Sequence, residues 1–165
     1  MTSPSASSGT SSSPAAGGVP AAVTQALQLV LAADHAAVFG YSVIGVNLTV
    51  DAEVSQARDL EAAHRLSRDT TAALLVSRNA VPVASAASYT PTVKVSDAAS
   101  ARAWAVQLET ACADSYRVLL TATASGADRA TRSRALTGLG TAAQRAVYWR
   151  ALLTPDAPTV PFPGL

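Results

Sequence analysis

The sequence predicts an all-α four-helix bundle, built as two antiparallel hairpins joined by one long crossover. Three observations lead there. Hydrophobic residues make up 49% of the 165 residues but aromatics only 5%, so the core is built from Ala, Leu and Val. Alanine is the best helix former, and an Ala/Leu/Arg-rich chain points to closely spaced helices. Apolar residues recur at three- and four-residue spacing in four stretches, and the link between the second and third is much longer than the other two. A chain of this length suits one domain with a sizeable core.

Taken in order, residues 1–20 are, Met1 and Val19 apart, Ser, Thr, Pro, Gly and Ala, with no charged side chain and little apolar bulk. They cannot bury enough surface to offset the entropy of ordering and are predicted to form a disordered tail. The bundle is predicted over residues 21–155. Its first helix runs from Ala21 to Leu48, with Leu27, Leu31, Val38, Tyr41 and Leu48 on one stripe and Gly40 and Gly45 permitting close approach. After a break at residues 47–51, Asp51 is the expected N-cap of a second helix reaching Arg78. Residues 79–95 contain two prolines and lose the helical period. Ser96 or Asp97 then caps a third helix to about Ser125, which Gly126 terminates. Asp128 opens a fourth, to about Leu153. Residues 156–165 are proline-rich and predict an extended tail.

The long link decides the topology. At about 3.3 Å per residue its roughly 16 residues reach about 50 Å. A helix of about 26 residues is only about 39 Å long. An up-down-up-down bundle needs a short loop at this point, whereas a ferritin-like bundle has one long crossover. The ferritin-like arrangement is expected.

The formal charge of +1 leaves no electrostatic footprint for nucleic acid or an anionic membrane. Cys112 is the single cysteine, which excludes an internal disulfide and a thiolate-rich zinc site. The first twenty residues lack the basic and apolar regions of a secretory leader. No apolar run reaches membrane-spanning length without a charged residue. A cytoplasmic protein is the expectation, with neither nucleic acid nor membrane as partner.

Polar residues recur in the middle third of the helices. Asp34 falls between Leu31 and Val38 on the first apolar stripe, where a carboxylate must be paired or bound. Glu61, His64 and Arg68 share one face of the second helix, and Glu109 lies beside Leu108 and Cys112 on the third. Counted from a turn near Val50, Asp34 and His64 are level to within about 3 Å. Counted from a turn near Ala127, Glu109 and Arg145 are equally distant. Glu61 and His64 form the Glu-x-x-His spacing by which di-metal bundles hold iron or manganese, since residues three apart lie on one helix face. Such a centre needs a second half-site, yet the fourth helix, RALTGLGTAAQRAVYWRALL, contains no Asp, Glu or His. Gln144 and Arg145 stand at that level, and a cation is a poor neighbour for a metal. The leading expectation is therefore a buried ionic network of Asp34, Glu61, His64, Glu109 and Arg145 with Arg68 beside it. His35 is expected at a surface or interface, Cys112 as a small buried hydrophobe, Tyr116, Tyr148 and Trp149 as packing, and Arg129, Arg132 and Arg134 as a solvated basic face.

The stretches LAADHAAVFGYSVIG, AAHRLSRDTTAALL, LETACADSYRVLL and the closing PFPGL are similar to an actinobacterial ferritin-like domain family of unknown function. The resemblance extends from about Ala21 to Leu165. It implies a four-helix ferritin-like fold and marks Asp34, His35, His64, Arg65, Glu109, Pro163 and Gly164 as characteristic positions, with Asp34 standing where Glu is more usual. It implies no reaction. The expected role is a non-catalytic structural or interaction module without cofactor, working as a homodimer through an Ala/Gly-rich helix face. The alternative is an iron- or manganese-binding oxidoreductase or metal-handling protein using Asp34, Glu61, His64 and Glu109 as an incomplete ligand set.

Overall fold

Four long apolar periods become four helices: α1 (Ala21–Asn47), α2 (Asp51–Ser77), α3 (Ala98–Ala122) and α4 (Arg129–Ala151). The computed structural model describes residues 21–126 and 128–160. The expected N-terminal tail and the Pro163–Gly164 pair lie outside the described residues.

The helix ends follow from local chemistry. Val50, in extended conformation, caps α2 with its backbone alone, so Asp51 is inside the first turn and not the N-cap expected. There, with Glu53, it faces the positive end of the helix dipole. Asp97 caps α3 through a reciprocal pair of hydrogen bonds with Ser100. Asp128 accepts from the Thr131 amide to cap α4. At the end of α2, Asn79 adopts φ 58°, and the amides of Asn79 and Ala80 return to the carbonyls of Val76 and Leu75. This left-handed closure satisfies two otherwise orphaned carbonyls. α3 stops three residues before the expected point, with Thr123 as its C-cap and the Thr123 hydroxyl donating to the Leu119 carbonyl.

Residues 78–97 hold no helix or strand and run the length of the bundle. Gln28 on α1 fastens them: its Nε2 donates to the Val81 carbonyl at 2.7 Å, and its Oε1 accepts from the Val83 amide at 2.8 Å. His35 Nε2 lies 3.2 Å from the Val83 carbonyl, and Phe39 meets Tyr89 with ring centroids 5.6 Å apart. At the far end Gln107 Nε2 donates to Thr92 at 2.6 Å. A bidentate pair between Arg102 on α3 and Glu53 on α2 then sets the starts of these two helices side by side. They are thus parallel, as a full-length crossover requires.

Backbones approach closely between α1 and α2, α1 and α3, and α3 and α4. α2 and α4 do not meet in this way, and that side of the bundle is open. Two apolar clusters fill the interior. One surrounds Tyr41, Trp104, Leu108 and Trp149; the other surrounds Leu27, Leu31, Leu75 and Leu119. α1 is long and apolar enough, by length and composition, to cross a membrane. In the bundle it is a core helix, with Asp34 buried at its middle.

Candidate functional site

Helical periodicity aims four sets of side chains at the level where the apolar clusters meet. α1 supplies Asp34 and, seven residues on, Tyr41. α2 supplies His64 and Ser67; α3 supplies Glu109, Cys112 and Tyr116; α4 supplies Arg134, Gly138, Thr141 and Arg145. Each set repeats at three, four or seven residues and so lies along one face.

His64, 2% exposed, is the hub. Its Nδ1 is 2.9 Å from Asp34 Oδ1 and its Nε2 is 3.1 Å from Glu109 Oε1. A carboxylate oxygen at each ring nitrogen is satisfied only if both nitrogens carry protons, which makes the ring an imidazolium. Burial alone would pull its pKa down, but the hydrogen bonds and charges of Asp34 and Glu109 outweigh it and raise the value from 6.5 to about 9. Glu109 Oε1 also accepts from the Tyr41 hydroxyl at 2.6 Å, and that hydroxyl accepts from Trp149 Nε1 at 2.9 Å. The Tyr41 and His64 rings stack with centroids 5.7 Å apart. On the other side Ser67 donates to Asp34 Oδ2 at 2.7 Å, which leaves the Tyr116 hydroxyl, 3.1 Å away, to donate to Ser67. Glu109 Oε2 is buried without a partner.

Burial, reinforced by the charge of Glu109, holds the Tyr41 phenol well above its usual range, so it remains a donor. Burial does the same to the Cys112 thiol, with Glu109 and Asp34 adding to it. Cys112 is therefore no nucleophile in this setting.

Asp34 and His64 meet, as counting residues from the turn near Val50 expects, and Glu109 joins them from α3. Glu61 does not join them. It turns along α2 to bind Arg65 at 2.6 Å, a guanidinium one turn away whose own side chain is exposed while that of Glu61 is largely covered. Arg145 reaches the site but forms no ion pair with Glu109 among the described residues; its Nη1 stops 3.4 Å from His64 Nε2. Arg68 pairs instead with its neighbour Asp69. Arg134 is not part of a solvated face. It crosses from α4 to α2, donating to Thr71 Oγ1 and, at 3.3 Å, to the Ser67 carbonyl. Tyr41, Trp149, Ser67 and Tyr116 were not expected as network members. The seven-residue step from Asp34 to Tyr41 and the stripe Glu109–Cys112–Tyr116 carry that signal in the sequence.

A di-metal centre of the kind found in carboxylate bundles does not fit here. α4 presents no carboxylate or imidazole, Glu61 faces Arg65, and a guanidinium stands beside the His64 nitrogen. Asp34, His64 and Cys112 nevertheless place oxygen, nitrogen and sulfur atoms within 4.8 Å of one another.

The family described as "Domain of unknown function (DUF4439)" matches residues 26–165. The chain belongs to that family. A similar solved structure is the conserved hypothetical protein Rv2844 from Mycobacterium tuberculosis, with 30% identity and a TM-score of 0.74 over 81% of this chain and 98% of that one. A Dps double mutant from Listeria innocua aligns with 16% identity and a TM-score of 0.71 over 82% of this chain and 96% of the other, a likeness of fold alone. Among curated proteins none matches the chain. This member of the DUF4439 family is an all-α, ferritin-like four-helix bundle.

Proposed function

We propose that this domain is a non-catalytic, cytoplasmic ferritin-like binding module of actinobacterial type, in which an imidazolium clamped between two carboxylates replaces a di-metal centre. The reading is supported chiefly by His64, whose two nitrogens are already taken by Asp34 and Glu109. A nitrogen engaged in this way has no lone pair to offer a cation. The likeness to the mycobacterial protein supports the actinobacterial part of the reading. Elemental analysis of protein purified without chelator tests the reading. The expected result is iron, manganese and zinc well below one equivalent, unchanged in a His64→Ala variant. Stoichiometric metal that disappears in that variant would overturn it.

A second reading has its own observation. The buried Asp34, His64 and Cys112 atoms, with the unpartnered Glu109 Oε2 nearby, form a donor set for a single ion. It would require His64 to lose a proton and Cys112 to become a thiolate, so metal uptake would release protons. In that case the domain is a metal-handling protein or oxidoreductase, and the same elemental analysis separates the two.

A further inference from the structure

The open side of the bundle leads to the network through a cleft of about 480 Å³ between α2 and α4. Its size lies in the range of small-molecule sites, about 300–1,000 Å³. Asp34 and His64 form part of its floor; Thr137, Thr141 and the guanidinium-bearing residues Arg134 and Arg145 line the α4 wall.

We propose that this cleft binds a small oxyanion, a phosphate- or carboxylate-bearing molecule of metabolite size, gripped by Arg145 and Arg134. Charge is the first reason. Two carboxylates, Asp34 and Glu109, face one imidazolium and two guanidiniums, so the site carries one positive charge in excess. Donor supply is the second. Arg145 forms no ion pair among the described residues, and its approach to His64 is donor to donor. Arg134 meets only neutral acceptors, and its Nε is buried with no partner. Buried donors are ordinarily satisfied, and a planar guanidinium matches an oxyanion in a two-bond fork. Asp34 already accepts from His64 and Ser67, one bond at each oxygen, and forms no ion pair with either arginine among the described residues. The hydroxyl-bearing residues Thr137 and Thr141 stand on the α4 wall as further donors for the same ligand.

The proposal rests on the reading of the domain as a binding module, but the two fail separately: stoichiometric metal overturns that reading, and the following result overturns the proposal. Thermal unfolding is followed while inorganic phosphate or succinate replaces chloride at constant ionic strength. The expected outcome is a saturable rise in Tm with at least one probe, with phosphate and succinate separating the two oxyanion types. Affinity should fall by about tenfold or more in Arg145→Gln, as loss of a charge-assisted fork predicts, and stay unchanged in Arg129→Gln on the exposed start of α4. No saturable response to either probe, or an equal response in Arg145→Gln, would overturn the proposal. Should Arg145→Gln fail to fold, amide chemical shifts of the unaltered protein decide. Changes gathered at Ser67, Thr70, Thr137 and Thr141 support it, and changes scattered over the surface refute it.

Discussion

The Tyr41 hydroxyl donates to Glu109 at 2.6 Å while accepting from the Trp149 indole at 2.9 Å, so one oxygen joins α1, α3 and α4. All three side chains are at most 1% exposed. Tyr41→Phe removes the acceptor of a buried N–H and one of the two donors to Glu109 Oε1. The expected loss is about 1–3 kcal/mol, the range for stranding a buried polar group. Urea denaturation measures it, and Trp149 fluorescence reports whether the indole has moved.

His64 makes stability depend on pH with a definite sign. Its folded pKa of about 9 lies above the ordinary 6.5. Below 6.5 the ring is protonated in both states and its full contribution is present. Between 6.5 and 9 the unfolded chain gives up the proton while the folded one keeps it, and the contribution declines until it is lost above 9. At about 1.4 kcal/mol per pKa unit it amounts to about 3 kcal/mol. The unfolding free energy of the native chain from urea denaturation, compared with that of His64→Gln, should fall by that amount over this window. A flat difference would mean that the imidazolium is not there.

Glu61 and Glu109 are both glutamates at mid-helix, and they should behave oppositely. Glu61→Ala cuts an exposed pair with Arg65 and is expected to change stability by less than about 0.5 kcal/mol. Glu109→Ala leaves the His64 charge short of a partner and is expected to cost about 3–5 kcal/mol. Denaturation of the two variants side by side checks this.

Two glycines of α4 separate packing from propensity. A methyl group at Gly138 would enter the space of the Tyr116 ring, whereas one at Gly140 would meet nothing within 4 Å. Gly140→Ala should therefore stabilise by about 0.5–1 kcal/mol through helix propensity. Gly138→Ala should destabilise by about 1–3 kcal/mol through overpacking, despite the same gain in propensity. Thermal unfolding distinguishes the signs.

Gln28 holds the crossover as a neighbouring strand would, with one donated and one accepted bond. Gln28→Ala should lose about 1–2 kcal/mol, the worth of two exposed-edge hydrogen bonds. Hydrogen exchange at the Val83 amide should accelerate while the core of α1 stays protected.

Much of this architecture was legible in the sequence, for reasons that differ by residue. The crossover could be inferred because chain length sets a hard limit on reach, and the α3 and α4 starts because Asp97 and Asp128 carry their own caps. The α2 N-cap was misplaced by one residue because Val50 caps with backbone alone, which leaves no side-chain signature. Asp34 and His64 came out level because rise per residue is constant along a helix. Glu61 could not be placed in the same way. Its spacing to His64 puts it near the buried face, and the choice between core and rim was made by Arg65 one turn further on. Aromatic tips were equally opaque: a tyrosine on an apolar stripe announces its ring but not the direction of its hydroxyl. The destination of Arg134 depended on the gap between α2 and α4, a feature of packing that no local pattern encodes.

That same gap leaves cohesion unevenly shared. α1 and α3 each lean on two neighbours along their backbones, while α2 leans on α1 alone and is tied across the opening chiefly by the arginine tethers at Arg134 and Arg78. Only α4, which leans on α3, has as few close backbone neighbours. An outward swing of α2 would carry His64 away from both carboxylates at once, so loosening of the wall and dissolution of the central charge cluster are a single event.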